Sequence, residues 1–223
     1  MEKIRNKLER LITPIAIPNL IMYIVIGMAV VFAVDMLAPG MGKASLSPFI
    51  TFSRAHILKG QVWRILSFVF AYPASNALFI IFAFYMYWLF GTTLENHWGT
   101  SKFCLFYYSG IIGAIIAGFI TGSATNTFLD ISMTIAFAIF DPDFTIMLFF
   151  FIPVKIKYIA YVTGALVLFL FILGPLYIKI SILFSLINLL LFFGDDLFLK
   201  IKYTANHWKY KLKNKNKNIK KTK

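Results

Sequence analysis

Cysteine occurs once, histidine three times and acidic residues nine times in a chain of 223 residues. The single cysteine, Cys104, excludes an internal disulfide and leaves the redox compartment open. Charged side chains make up 14% of the chain, against 60% hydrophobic residues and a mean hydropathy of +0.78, too little charge to clothe a soluble domain. The solvent for most of this sequence is lipid. Its Lys and Arg excess gives a net charge of +13, but these residues gather outside the apolar runs, where orientation in a bilayer explains them and no nucleic-acid partner is required.

What is present in abundance is phenylalanine, 25 residues, distributed over long apolar runs. The first follows the polar, basic MEKIRNKLERL and begins at Ile17; IPNLIMYIVIGMAVVFAVDMLAP is long enough to cross a hydrocarbon core of roughly 30 Å. It lacks the short apolar centre and small-residue cleavage site of a secretory signal, so a retained helix is expected. Further runs lie at Ser75 to Thr93, Cys104 to Gly122, Asn126 to Phe140, Tyr158 to Pro175 and Tyr177 to Phe193. The expected fold is an all-α polytopic membrane protein of six transmembrane helices, with a basic N-terminus over 1–16, a membrane domain over 17–194 and a basic tail over 195–223.

Six spans put both termini on one side. That side collects seventeen basic residues, including Lys102, Lys155, Lys157 and ten in the tail, against five on the other: Lys43, Arg54, Lys59, Arg64 and Lys179. The positive-inside rule then makes both termini cytoplasmic, and the lysine-rich tail is expected to sit against anionic lipid. Two pieces do not read as spans. SPFITFSRAHILKGQVWRILSFVFAYP is half apolar and punctuated by charge, as expected of an amphipathic segment lying in the outer interface. TIMLFFFIPVKIK is too short to cross before Pro153 and is expected at the cytoplasmic interface.

GQVWRILSFVF (60–70), GTTLENHWGTSKFCLFYYSG (91–110) and AFAIFDPDFTIMLFFFIPVKIKYIA (136–160) together resemble the rhomboid superfamily of intramembrane serine proteases and their relatives. The resemblance implies a bundle with a membrane-embedded first loop carrying the Trp-Arg pair Trp63-Arg64. It also implies a Glu and a Trp-Gly after the second helix, here Glu95 and Trp98-Gly99, and a glycine-rich third helix. Without the family, Gly110, Ala114, Gly118 and Gly122 already recur every four residues, a small-residue ladder that lets a neighbouring backbone approach closely.

The catalytic parts implied by the resemblance are a serine in a Gly-x-Ser-Gly setting at the start of the fourth helix and a histidine in the sixth. Matching Ala136-Phe137-Ala138 and Asp141-Pro142 to the family pattern places Thr127 in the nucleophile slot, between Asn126 and Phe128 where glycines would stand. Ser132 lies more than a turn deeper, and Asp130, two residues before it, points about 200° away around a helix. The histidines are His56, His97 and His207, none between residues 98 and 206. The sixth run offers Ser181, Ser185 and Asn188, none of them a base near neutral pH. The stretch FAYPASNALFIIFAFYMY has no histidine for an oxyanion and only Asn76.

Ser132 is expected to return its hydrogen bond to a carbonyl one turn back, as a packing serine does. Asp130, an acid within an apolar run, is a candidate functional group by default, and the other reading is that it reaches water or pairs with Arg64 or Lys179. Asp35, near the end of the first run, is expected to be solvated, and Asp195-Asp196 to mark the exit of the sixth. No catalytic residue, cofactor or metal is expected. The reading favoured is a rhomboid-like pseudoprotease that binds transmembrane segments of client proteins. The alternatives are a noncanonical active rhomboid protease and a transporter component, the latter without an inverted repeat or paired broken helices. Richness in Ile, Lys, Asn and Phe suits an AT-rich bacterial genome and hence a plasma membrane.

Overall fold

The computed structural model describes residues 9–192 except 39, 41, 43, 74–75 and 149–150. Lys43, the basic tail with His207, and Asp195-Asp196 lie outside the described residues. Four described helices are long and apolar enough to cross a membrane: α1 (Leu20–Leu37), α2 (Ala77–Trp98), α3 (Thr100–Thr121) and α5 (Ile156–Leu173). Two shorter apolar helices complete the bundle, α4 (Thr127–Phe140) and α6 (Leu176–Phe192).

Among the described helices α1 to α6, α2 and α3 have the shortest connection. The α2–α3 turn is one residue, Gly99, whose φ of +83° belongs to the left-handed half of the map that glycine enters without penalty. The second helix therefore runs to Trp98, five residues past the end expected from hydropathy, and Glu95, His97 and Trp98 are helical. Glu95 fixes this end of the bundle. Its Oε1 accepts from the Asn19 amide at 2.9 Å, just before α1, and from Thr100 Oγ1 at 3.0 Å. A carboxylate at the start of α1 satisfies an orphan amide and meets the positive end of that helix.

Close backbone approach organises the core. A Cβ on Gly91 would lie 2.6 Å from three Ile21 atoms, so α1 seats directly on α2. On α3, a Cβ on Gly110 would meet Leu129 at 2.7 Å, and one on Gly118 would meet Phe52 at 2.7 Å and Ala124 at 2.8 Å. Gly122 differs: it has open space around it and ends α3 at φ +98°, as a C-cap residue in the left-handed region. Phe103, Phe106, Tyr107, Met133, Ala136 and Phe137 are fully enclosed between α2, α3 and α4.

The expectation of an all-α chain is corrected at TIMLFFFIPVKIK. Strands β1 (Thr145–Leu148) and β2 (Ile152–Lys155) pair antiparallel, Thr145 opposite Lys155 and Leu148 opposite Ile152. The β-branched residues Thr145, Ile146, Ile152 and Val154 favour strand, and a hairpin lets the backbone between α4 and α5 bond to itself. A two-stranded sheet has only edge strands, the place where a sheet tolerates proline, and Pro153 sits opposite Met147. Asp143 Oδ1 binds Lys157 Nζ at 2.8 Å and Lys155 Nζ at 3.0 Å, pinning the hairpin base to the start of α5. Those two ammonium groups, Lys157 foremost, hold the Asp143 carboxyl below its ordinary value.

Candidate functional site

The segment between α1 and α2 folds as short helical turns at Ser47–Ile50, Arg54–Leu58 and Arg64–Ser67, followed by a 3₁₀ turn at Phe68–Phe70. Turns this short leave many carbonyls without helical partners, and side chains supply the donors. Arg64, 4% exposed, donates Nε to Gln61 Oε1 at 2.7 Å and Nη1 to the Pro48 and Thr51 carbonyls at 2.7 and 2.9 Å. Trp63 Nε1 donates to the Phe49 carbonyl at 3.1 Å and Ser67 Oγ to that of Ile50 at 2.8 Å. Phe52 and Phe68 meet edge to face, and Phe52 continues onto Phe119 of α3. The opposite side of the segment leaves Leu58, Val62, Trp63 and Leu66 exposed.

Asp35 is not free in solvent. Its carboxylate accepts from the Leu46 amide, from the Ser47 amide and hydroxyl, and from the Tyr72 hydroxyl at 3.0 Å. One acid at the end of α1 thus clamps both the start and the end of the loop segment. Tyr72 also packs edge to face on Phe32, and desolvation there, reinforced by the Asp35 charge, raises its phenol above the ordinary value.

Beneath this segment lies a cavity of about 650 Å³. The α4 helix forms its floor through Thr127, Asp130 and Thr134, α2 one wall through Met86, Tyr87 and Phe90, and α5 the other through Ile159 and Thr163. Both walls pack on α4 but scarcely touch each other, so the cavity opens sideways between α2 and α5. Tyr72, Pro73 and Phe68 roof it. Asn126, just ahead of α4, fastens roof to floor by donating Nδ2 to the Ala71 carbonyl at 2.7 Å and the Val69 carbonyl at 3.4 Å.

The structure separates the two hydroxyls singled out in the sequence. Thr127 and Asp130 face the large cavity. Ser132 lies on the other side of α4, lining a pocket of about 20 Å³ with Ser185, Asn188 and Gly110. Ser132 Oγ donates to the Leu129 carbonyl at 2.7 Å. Ser185 Oγ donates to the Phe128 carbonyl at 2.7 Å, while Asn188 accepts from Ser109 Oγ at 2.7 Å and donates to the Phe106 carbonyl at 3.2 Å. The polar side chains of α6 thus tie that helix to α3 and α4.

Neither described histidine lines either cavity. His56 Nδ1 is 2.9 Å from Ser53 Oγ on the exposed side of the loop segment. His97 Nδ1 is 2.9 Å from the Thr93 carbonyl and its ring packs on Phe140, thirteen residues along α4 from Thr127, or about 20 Å along the axis.

Asp130 is 7% exposed and has neither of the partners considered for it in the sequence: the Arg64 guanidinium is occupied by the loop, and the polar neighbour of Asp130 is the Tyr87 hydroxyl. Tyr107, fully buried with no hydrogen-bond partner for its hydroxyl, also lies within electrostatic reach of Asp130. Neither tyrosine is among the site residues expected from the sequence. A signal was available: Tyr87 stands midway along an apolar run, away from the interfacial belts where tyrosine gathers. Among the described residues no group of three or more acidic, histidine or cysteine side chains could hold a metal ion.

Apolar helices around a laterally open cavity, with a short floor helix and a hydrogen-bonded roof segment, define a polytopic helical membrane protein. The Rhomboid domain family model matches residues 59–188, and the chain belongs to the rhomboid family. Comparison with curated proteins and with solved structures gave no match.

Proposed function

We propose that this protein is a rhomboid-like pseudoprotease, which receives transmembrane segments of other proteins at the opening between α2 and α5 and holds them without cleaving a peptide bond. The observation that carries the reading is the chemistry of the cavity around Thr127: a hydroxyl at the nucleophile position with no histidine or lysine among the described lining residues. A hydroxyl without a general base is a weak nucleophile, and base activation contributes roughly 10² to 10⁴ in rate. The flanking side chains offer no relief, since the Asn126 amide is committed to the roof carbonyls and the Phe128 ring carries no hydrogen-bond donor. The alternative, a noncanonical serine-type protease, is favoured by the single fact that Thr127 is exposed within the same cavity as a carboxyl group.

In this reading all six apolar helices cross a plasma membrane with both termini cytoplasmic. The loop segment lies in the outer interface with Leu58, Val62, Trp63 and Leu66 toward lipid, and the hairpin at the inner one. The basic tail associates with anionic lipid. The deciding experiment is labelling of the purified protein with a fluorophosphonate beside an active rhomboid, together with incubation with a model transmembrane substrate. Absence of labelling and of cleavage is expected. Stoichiometric labelling of Thr127 or Ser132, or cleavage lost in the Thr127→Ala, Ser132→Ala double variant, would establish the protease instead.

A further inference from the structure

Asp130 is the most costly side chain in the cavity. Tyr87, its neighbour, stands midway along the 22-residue α2, so the carboxyl group lies about 15 Å from either end of that helix, near the middle of a bilayer. Ionisable groups at that depth are rare and face a partner or a functional cavity. Here the described lining contains no lysine, arginine or histidine, and Asp130 is its one acidic member. Behind it the Tyr107 hydroxyl is buried and unbonded, which is itself unfavourable. The fold thus keeps, at the depth where compensation is worth most, a carboxyl group whose polar partner is one phenol and, within its electrostatic reach, a second phenol with no partner.

The shape of the cavity narrows what could compensate them. Its two helical walls make few contacts with each other, so a side between two apolar helices is left for approach, and in a bilayer that side meets lipid. One carboxylate is too few ligands for a divalent cation, which takes six or more oxygens. A second transmembrane helix lying across the α2–α5 opening could extend one long side chain inward, and a cation there would meet the one acidic side chain among the described lining residues.

Resting on the helix-holding role proposed above, we infer that the cavity selects transmembrane segments that carry a single lysine or arginine near mid-span, with Asp130 as the pairing group and Tyr87 as the positioning residue that orients its carboxyl. The ammonium or guanidinium would gain a charged hydrogen bond that lipid cannot offer. Segments without such a residue would dock through apolar contact alone and leave Asp130 unpaired. The client class is therefore helices that are themselves poorly stable in lipid until partnered.

The test uses the full chain in neutral phosphatidylcholine nanodiscs and fluorescent single-span Leu-Ala peptides, titrated by energy transfer. One peptide carries lysine at its centre, one carries it a turn from the end, and one carries leucine throughout. The central lysine should tighten binding roughly tenfold over leucine, as expected for one good polar pair between membrane helices. The near-terminal lysine should not. Asp130→Asn should bring the central-lysine peptide to the leucine value while leaving the leucine peptide unchanged, and Asp130→Glu should keep most of the preference. Binding of the three peptides within twofold of one another, or a preference that survives Asp130→Asn, overturns this inference and leaves helix-holding in place. No binding of any peptide overturns both.

Discussion

Helices α3 and α5 are almost equally apolar, yet they live in different surroundings. Of their most apolar eighteen-residue stretches, 44% of α3 is buried inside the protein against 11% of α5. Hydropathy cannot explain the contrast, because lipid and protein interior are alike to a leucine. Small residues explain it. On α3, Gly110 and Gly118 stand against side chains that would collide with a Cβ, whereas Gly164 of α5 has nothing within 4 Å. Directed hydrogen bonds follow the same division: Ser109 ties α3 to α6, while α5 presents Tyr161, Val162, Leu166 and Phe169 outward. In a membrane the centre of a bundle is recognised by what is missing from its side chains.

The sharpest way to break this comparison is to place the same side chain on both helices. Gly118→Val sets new methyl groups against Phe52 and Ala124 and should lower stability by about 1–3 kcal/mol, the usual range for overpacking. Gly164→Val should stay within about 0.5 kcal/mol of the parent. Unfolding in mixed detergent micelles, followed by tryptophan fluorescence, measures both. Equal losses would mean that α5 packs as tightly as α3.

A second test asks whether directed bonds hold the roof as close packing holds the core. Arg64→Ala strips donors from the Pro48 and Thr51 carbonyls and should cost about 2 kcal/mol, with faster proteolysis of the loop segment. Arg54→Ala removes one exposed bond to the Phe119 carbonyl and should have a much smaller effect. If the two variants were cleaved at the same rate, the roof would owe its order to Phe52 and Phe68 alone.

The smallest effect belongs to the periphery. Asp143 is fully exposed, and its carboxyl is lowered from an ordinary 3.8 by Lys157 and Lys155. A lowered value in the folded state means that its contribution is fully present above the unfolded value and fades as pH falls through the folded one. Hydrogen exchange in the hairpin should thus be insensitive to this group between pH 7 and 5 and speed up only below about pH 4, after allowance for intrinsic exchange. Asp143→Asn should abolish that acid limb, and salt should weaken it in the parent.

Much of this arrangement was legible in the sequence, and the parts that were not share a cause. Apolar runs announced the helices, and Trp63-Arg64 with FFFIPVK announced the family. The end of α2 was misplaced because Glu95, Asn96 and His97 interrupt the hydropathy while extending the helix, and Glu95 is stabilised there by Asn19 and Thr100, which no local pattern reveals. Asp35 read as a solvated terminus because its three partners lie 11 to 37 residues away. Gly122 fitted a four-residue ladder, yet its spacing could not distinguish a packing glycine from one that ends a helix. The hairpin was hidden by its phenylalanines, whose apolarity suits helix, strand or interface equally. The Tyr87–Asp130–Tyr107 cluster required α2, α3 and α4 to be brought together first.

The lone thiol has a consequence of its own. Cys104 is wholly enclosed, its Sγ 3.4 Å from the Ile17 carbonyl where the entry to α1 crosses α3. A reagent can reach it only when that seam parts, so its alkylation rate in excess reagent follows how often the seam opens rather than the chemistry of the sulfur. The chain carries its own clock for breathing of the α1–α3 contact, read by mass spectrometry without any introduced probe.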